Sequence, residues 1–268
     1  MIFETIAGRK SVRTYDGTGL REEDLEKLKQ YMTEISNPFY IPVEFFLLDA
    51  EQFELSSPVV LGEKYYVAGK VEKKEYADVA FGYSFEKLVL YAWSLGIGTV
   101  WIGGTMRRQI FEKAVELGEG EMMPCVSPLG YPAKKPAIRE AVMRKSVGAD
   151  TRRPPEKFFY DKMWNLPVAG ALREELSDVI EAVRWAPSAA NKQPWRIILR
   201  DGAFHFYEKK DKGFTGEAVG DMQKIDIGIA LCHFISALEE KGEKPEVVIK
   251  DPCVEIPDDA EYIATVLL

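Results

Sequence analysis

Three polar side chains that could bind a ligand lie close together in the sequence, at Ser188, Asn191 and Gln193. They follow a helical apolar pattern over residues 172–183 and precede a strand-like run at residues 197–199. The pattern predicts a helix–loop–strand corner that presents a hydroxyl and two amides together. These groups suit the edge of a planar heteroaromatic ligand and its polyol tail. The alternative interpretation is a helix stop with local capping by Ser and Asn.

A second set of polar groups lies near the N-terminus, where Arg9, Ser11 and Arg13 occupy alternate positions. In an extended segment, alternate side chains point to the same side. Two guanidinium groups that flank a hydroxyl predict a clamp for an anion or a carbonyl oxygen, because Arg presents a fixed fork of donors. A solvated basic segment is the alternative. Further along, Gly103 and Gly104 permit close approach of the backbone to a ligand.

The chain has 268 residues, a formal net charge of −8 and 46% apolar residues, which is typical of a packed soluble protein. The acidic balance argues against nucleic acid or an anionic membrane as a general partner, but it permits one local basic pocket for a phosphate. Cys125, Cys232 and Cys253 are widely spaced, so neither a disulfide framework nor a zinc site is indicated. We expect a cytoplasmic protein, because residues 1–10 lack the apolar core of a secretory signal.

One uncharged stretch, residues 88–106, could be mistaken for a membrane span. Glycines within residues 95–99 predict instead a buried helix, from about residue 83 to residue 95, followed by a tight connection and a short apolar run. The other predicted helices cover residues 2–6, 22–32, 114–117, 172–183 and the charged segment after Pro136. The other predicted strands cover residues 41–48 and residues 123–129, which run into a turn.

The second half of the chain repeats the order of the first. Leu-Arg-Glu-Glu at residues 20–23 returns at residues 172–175, at a shift of 172 − 20 = 152. The glycine-bounded segment at residues 82–96 returns at residues 228–242, at a shift of 228 − 82 = 146. An ordered series of matches with one small change of shift predicts two diverged copies of one α+β unit. The predicted repeats are residues 1–150 and residues 151–268.

These motifs resemble those of the FMN-dependent nitroreductases. Pro-Ser-Ala-Ala-Asn-Lys-Gln-Pro-Trp at residues 187–195 resembles the family's proline-serine-asparagine-glutamine-proline-tryptophan loop. Arg-Lys-Ser-Val-Arg at residues 9–13 resembles its N-terminal Arg-x-Ser-x-Arg motif. Residues 95–104 and 129–132 resemble two further family segments. Arg-Arg-Pro at residues 152–154 resembles the basic stretch that closes the family's FMN phosphate site.

The motifs are divided between the two halves. An ordinary family member carries all of them in one domain and forms a homodimer with two FMN sites at the interface. Here the second half carries only the Pro-Ser-x-x-Asn loop, and the shift of 152 places Asp161, Met163 and Asn165 where a second Arg-x-Ser-x-Arg motif would stand. The resemblance therefore implies a fused variant, in which two repeats, each a mainly antiparallel sheet packed with helices, form a pseudo-dimer within one monomeric chain with one flavin site.

The resemblance also implies how FMN would be held. Arg9, Ser11 and Arg152 would bind phosphate and ribityl oxygens, and Arg13 would lie near the pyrimidine edge of the flavin. No catalytic side chain is predicted, because the flavin carries the hydride chemistry. The predicted cofactor-binding residues are Arg9, Lys10, Ser11, Arg13, Gly103, Gly104, Arg152, Arg153, Pro187, Ser188, Ala189, Asn191 and Gln193.

The activity implied by the resemblance is transfer of hydride from NADH or NADPH, through FMN, to a small electron-poor acceptor such as a nitroaromatic compound or a quinone. The alternatives are an FMN-binding or sensing protein with little turnover, and another reaction of the same fold, such as reductive dehalogenation. The two histidines, His205 and His233, lie in apolar runs, so we expect structural roles for them rather than a triad or a metal site.

Overall fold

The computed structural model describes residues 2–268, which form α-helices, strands and two single turns of 3₁₀-helix. The helices are α1 (Ile2–Gly8), α2 (Glu22–Glu34), α3 (Ala77–Ser94), α4 (Arg108–Ala114), α5 (Ile138–Ser146), α6 (Gly170–Glu175), α7 (Ser177–Arg184) and α8 (Met222–Glu240). The strands are β1 (Glu44–Asp49), β2 (Tyr65–Glu72), β3 (Glu121–Met122), β4 (Val126–Leu129), β5 (Phe159–Asp161), β6 (Trp195–Arg200), β7 (Ala203–Lys209), β8 (Thr215–Gly216), β9 (Gly220–Asp221), β10 (Glu246–Val248) and β11 (Ala260–Leu267).

The strands form one larger sheet in each half of the chain. In the first sheet, β2 lies between β1 and β4 and also pairs with β3, and all of these pairs are antiparallel. In the second sheet the order is β10-β11-β7-β6-β5, which is antiparallel except for the parallel pair of β5 and β6. A small hairpin of β8 and β9 precedes α8. The prediction of mainly antiparallel sheets packed with helices is confirmed.

The two halves have the same order of elements. The first half contains α2, β1, β2, α3 and β4, and the second contains α7, β6, β7, α8 and β11. The pairing order β1-β2-β4 corresponds to β6-β7-β11. The fold is therefore α+β with two diverged repeats, as the sequence shifts indicate. The predicted boundary near residue 150 falls between α5 and β5, outside these repeated elements, and stays a prediction.

The two long helices, α3 and α8, cross with their backbones in direct contact. A Cβ atom added to Gly82 would lie 2.0 Å from the carbonyl oxygen of Ile225, and one added to Gly228 would lie 2.1 Å from that of Val79. The two contacts are equivalent under the repeat shift of 146, because Val79 corresponds to Ile225 (225 − 79 = 146) and Gly82 corresponds to Gly228 (228 − 82 = 146). The crossing is therefore nearly self-complementary, like the interface of a two-fold dimer. Within one chain, it joins the two repeats.

One buried cluster contains apolar side chains of both halves. Phe81 and Phe85 of α3 belong to the same cluster as Phe206 of β7 and Phe234 of α8. Burial of apolar surface is the main favourable contribution to folding, at about 25 cal/mol for each Å². The two halves therefore stabilise each other.

The uncharged stretch at residues 88–106 contains the end of α3 and the connection after it. The helix ends at Ser94, and Gly96 then adopts a φ of 77°, which glycine tolerates and other residues rarely adopt. The buried helix predicted here is confirmed, although it begins at Ala77 rather than at residue 83. Among residues 2–268, no helix combines the length and the hydrophobicity that a membrane span requires.

Several further predicted boundaries were wrong. The strand predicted over residues 123–129 begins only at Val126, as β4. β1 begins at Glu44 rather than at residue 41, because the Asn37 side chain bonds the backbone of Ile41 and holds that segment in a separate turn. No helix covers residues 114–117 in the described chain, because α4 ends at Ala114 and the apolar residues after it pack from a turn. The single helix predicted over residues 172–183 is divided between α6 and α7.

Replacement of either crossing glycine by alanine is expected to destabilise the protein. Alanine favours a helix over glycine by about 1 kcal/mol, but the added Cβ forces the two helices apart, and overpacking a core costs typically about 1–3 kcal/mol. We therefore expect Gly82→Ala and Gly228→Ala to lower the free energy of unfolding, measured by denaturant titration without ligand. Gly104→Ala is the control, because a Cβ there would meet no atom within 4 Å. Wild-type stability of both helix variants would contradict the close approach.

Candidate functional site

A cavity of about 430 Å³ lies between the two halves of the chain. Its walls come from the N-terminal segment, the loops after α3 and α7, the segment that contains the end of α5, and one side of α8. Neither half encloses it alone. The predicted site residues that line it are Arg9, Lys10, Ser11, Arg13, Gly103, Arg152, Pro187, Ser188, Ala189 and Asn191. Those that lie outside its lining are Gly104, Arg153 and Gln193.

The N-terminal segment is held in an extended conformation beside the connection after α3. Ser11 bridges Thr99, and the Val12 backbone N–H donates to the Thr99 carbonyl oxygen at 2.9 Å. Val12 is buried against Gly98, where an added Cβ would lie 2.8 Å from the valine side chain. Because Val12 points into the protein, its neighbours Ser11 and Arg13 point to the cavity, in agreement with the alternation of the motif.

Three guanidinium groups at the cavity have buried nitrogen atoms that find no hydrogen-bond acceptor among residues 2–268. Arg9 is only 7% exposed, and its Nε and Nη1 have no hydrogen-bond partner. The Nε atoms of Arg13 and Arg152 are also buried and unpaired. Burial lowers the pKa of all three side chains, and that of Arg152 falls to about 10. Unpaired buried donors are costly, so this end of the cavity suits an anionic group that would accept from them.

A fourth arginine, Arg144, lines the same end of the cavity and was not predicted as a site residue. It lies in the last turn of α5 and forms an ion pair with Asp150. Its positive charge further lowers the pKa of the three arginines described above. The charged run after Pro136 was its only signal in the sequence, and a charged run does not show which of its members faces a cavity.

Behind Arg9 lies a buried carboxyl group, Glu86 of α3, which no motif indicated. Its Oε1 is 3.8 Å from Arg9 Nε and 2.9 Å from Nε2 of His233 on α8. Its Oε2 accepts from the Trp101 indole N–H at 2.9 Å. His233 Nδ1 lies 2.8 Å from the carbonyl oxygen of Ala182, a geometry in which Nδ1 carries a proton. The network joins both long helices to the N-terminal segment and fixes Arg9 from behind.

The loop that carries Ser188 makes an unusual turn. Ala190, Asn191 and Gln193 have φ angles of 47°, 55° and 51°, a left-handed conformation that is uncommon outside glycine. Side chains of the loop hold it in place. Ser188 Oγ accepts from the Gln193 backbone N–H at 2.9 Å, and Asn191 Nδ2 donates to the Gly148 carbonyl oxygen at 2.7 Å. The polar residues of the motif therefore shape the loop as well as presenting groups to the cavity.

Gln193 and Arg153 bond to protein backbone rather than lining the cavity. Gln193 Oε1 accepts from the Arg153 backbone N–H at 2.8 Å, and Gln193 Nε2 donates to the Asn191 carbonyl oxygen at 3.2 Å. The Arg153 guanidinium donates to the Lys192 carbonyl oxygen from two nitrogens, at 3.3 and 3.4 Å. These bonds tie the segment of Arg152 to the loop, so both residues support the site from outside it.

Gly103 lies in the cavity wall, whereas Gly104 does not. The position of Gly103 is set by Arg108 of α4, a residue that the sequence motifs did not indicate. The Arg108 guanidinium donates to the carbonyl oxygens of Gly103 at 2.7 Å, Met123 at 2.6 Å and Pro124 at 3.1 Å. One side chain thus holds two loops of the first half together and fixes the backbone that faces the cavity.

The wall that α8 supplies is apolar except at Asp226. Trp185, after α7, also contributes, and the Arg152 guanidinium lies 5.1 Å from the centre of its ring, which is a cation–π contact. An apolar wall beside a cationic end suits a flat aromatic ligand with an anionic tail. The apolar residues of α8 in this wall are Met222, Ile225 and Ile229.

The corresponding place in the other half contains an aromatic pair. At the shift of 146, Met222 corresponds to Tyr76, and at the shift of 152, Asn191 corresponds to Phe39. The rings of Tyr76 and Phe39 stack with their centres 5.8 Å apart. Met163, the counterpart of Ser11, has no hydroxyl and is 57% exposed. The two halves share a fold but differ in the chemistry of these positions.

Comparison with known families agrees with the fold and the motifs. The model of the family described as "Putative TM nitroreductase" matches residues 1–238, and the chain belongs to that family. It is thereby a member of the nitroreductase group of oxidoreductases. A comparison with curated proteins gave no match.

Solved structures of similar fold are also nitroreductase proteins. A crystal structure described as a "putative nitroreductase" from Thermotoga maritima is 21% identical, with a TM-score of 0.63, over 100% of this chain and 93% of that chain. At this identity the likeness concerns the fold. A Bacteroides fragilis nitroreductase with bound FMN is 20% identical, with a TM-score of 0.43, over 51% of this chain and 91% of that chain.

Proposed function

We propose that the cavity binds one FMN, and that the protein transfers hydride from NADH or NADPH to a small electron-poor acceptor such as a nitroaromatic compound or a quinone. The observation that carries this proposal is the set of unpaired, buried guanidinium nitrogens of Arg9, Arg13 and Arg152 beside an apolar wall. They fit a ligand with a terminal phosphate and a flat ring system. Membership of the nitroreductase family supports the same ligand.

The cationic end would hold the phosphate and the ribityl chain. Arg9, Ser11 and Arg152 are the proposed ligands, with Arg144 and Lys10 adding positive charge beside them. Arg13 would balance negative charge on the pyrimidine edge of the reduced ring. Bound FMN would supply the hydride chemistry itself.

The second half would complete the site through its loop and α8. Pro187, Ser188, Ala189 and Asn191 line the cavity from the side opposite the N-terminal segment. Gly103 would offer its backbone to the ring from the first half. Gly104, Arg153 and Gln193 remain proposed as supporting residues, since they adjoin the lining.

The pseudo-dimer would function as a monomer. Both sides of the cavity come from one chain, so no second copy is needed to enclose it. We retain residues 1–150 and 151–268 as the proposed repeats, and the cytoplasm as the proposed location, since NADH and NADPH would be available there.

Loss of an arginine is expected to weaken FMN binding. Removing a hydrogen bond to a charged group costs about 1.5–3 kcal/mol, which corresponds to about a tenfold to hundredfold rise in the dissociation constant. Flavin fluorescence titration of Arg9→Ala and Arg152→Ala would measure it. Arg200→Ala, which removes an arginine on β6 outside the cavity lining, is the control.

The same titration with riboflavin tests the phosphate assignment. Wild-type protein should bind riboflavin more weakly than FMN, and the arginine variants should lose most of that difference. Equal affinity for FMN and riboflavin would contradict the proposal that these arginines bind the phosphate.

One FMN is expected for each chain, because the aromatic pair of Phe39 and Tyr76 stands where the second half-site would provide a wall. Saturation in a titration monitored by absorbance gives the stoichiometry, and light scattering on dilution gives the mass of the flavin-loaded species. Two flavins per chain, or loss of flavin whenever an oligomer dissociates, would contradict a single site in a monomer.

Reduction by a nicotinamide separates the enzyme from a flavin-binding or sensing protein. When the FMN-loaded protein is mixed anaerobically with NADH or NADPH, the absorbance of its oxidised flavin should disappear within the time of one turnover. Addition of a nitroaromatic compound or a quinone should restore that absorbance. A bound flavin that neither nicotinamide reduces would support the binding protein instead.

A further inference from the structure

Asp226 is a carboxyl group in the cavity wall, and no cationic side chain of residues 2–268 pairs with it. It lies in α8, is 3% exposed and lines the cavity. Among residues 2–268, its hydrogen-bond partner is the backbone N–H of Ala189, at 3.0 and 3.1 Å from its two oxygens. The charged groups that act on it, Asp221 at the start of α8 and Glu208 on β7, are both acidic. Within the described part of the chain, the Ala189 N–H is therefore the group that offsets a negative charge at this position.

The surroundings of Asp226 favour the protonated form of its carboxyl group. Burial raises the pKa of the Asp226 carboxyl well above its ordinary value, and the two acidic neighbours raise it further, although the Ala189 N–H acts in the opposite direction. A protonated carboxyl keeps one oxygen as the acceptor for that N–H. Its O–H is then free to donate, and the residue lines the cavity.

The fold does not need an acid at this position. At the shift of 146, Asp226 corresponds to Ala80 of α3, which is buried in the same packing between the long helices. The carboxyl therefore occurs in the helix that lines the cavity, α8, and not in its counterpart α3. Buried acids with raised pKa values in a cleft are candidates for chemical roles, because a general acid must hold its proton at the working pH.

We propose that Asp226 is the general acid of this site and delivers a proton to the acceptor as hydride arrives. This inference rests on the proposed function. Bound reduced FMN would supply a quinone with two electrons and one hydrogen as hydride, and Asp226 would supply the proton to a carbonyl oxygen of the quinone. The product would be the hydroquinone, FMN would be left oxidised, and the Asp226 carboxylate would regain a proton from water.

The variant that distinguishes this role from a structural one is Asp226→Asn. Asparagine has the same shape, and its Oδ1 can still accept from Ala189, so the loop keeps its hydrogen bond. It cannot transfer a proton. Asp78→Asn is the matched control, because Asp78 also has a raised pKa, of about 6 owing to burial, and lies outside the cavity lining.

The test follows reoxidation of dithionite-reduced holoprotein by a water-soluble benzoquinone in a stopped-flow instrument, in H₂O and in D₂O. Loss of a general acid lowers a rate typically by about 10²–10⁴-fold, so Asp226→Asn should reoxidise at least about a hundredfold more slowly. It should also lose the solvent isotope effect, while the affinity for FMN stays at the wild-type value. Asp78→Asn should behave as wild type.

A second readout does not depend on the flavin. In flavin-free protein labelled with ¹³C-aspartate, the carboxyl signal that is absent from Asp226→Asn should titrate well above the ordinary range for Asp. Titration near the ordinary value for Asp, or wild-type reoxidation by Asp226→Asn, would overturn the proposal and leave the proposed function standing. Failure of the wild type to bind FMN would overturn both.

Discussion

The backbone contact between α3 and α8 is the constraint on which the site depends. Gly82 and Gly228 let the helices approach until each backbone touches the other, a distance that a single methyl group would prevent. The apolar wall and Asp226 come from α8, whereas Glu86, which fixes Arg9, comes from α3. The crossing thus sets the spacing between the cationic end of the cavity and its apolar wall. The packing of the two helices therefore also determines the geometry of the side chains that face the cavity.

The pseudo-symmetry makes the differences between the halves informative. The two sheets share a pairing order and the two helices share a crossing, so a position and its counterpart lie in similar surroundings. Where the counterparts differ in chemistry, packing alone does not explain the residue found. Asp226 against Ala80, and Met222 against Tyr76, are such differences. The stacked rings of Phe39 and Tyr76 stabilise the first half, which lacks the Pro-Ser-x-x-Asn loop, because they fill space that would otherwise be a cavity.

Local motifs indicated those cavity-lining residues that belong to short segments of the sequence. The alternation at Arg9, Ser11 and Arg13 and the loop at Ser188 carry their information within a few residues, and the structure places these side chains at one cavity. The sequence could not show Glu86, because its partner His233 is 147 residues away in the chain. Asp226 was not predicted either, because it is one acidic residue within a mainly apolar part of α8. The repeat shifts predicted the overall fold well, whereas element ends set by one side chain, as Asn37 does before β1, were missed.

The charges at the cavity would couple the binding of an anion to the stability of the fold. Burial lowers the pKa values of Arg9, Arg13 and Arg152, and the positive charge of Arg144 lowers them further, so these like charges repel one another in partly buried surroundings. Glu86 compensates part of this charge from behind but lies 3.8 Å from the nearest guanidinium nitrogen. An anion at the front would relieve the repulsion and satisfy the unpaired donors together. Because such a ligand binds the folded chain and not the unfolded one, its binding free energy adds to the stability of the fold. The chain as a whole is acidic, with a net charge of −8, so the cluster of arginines at the cavity is a local departure from its overall charge.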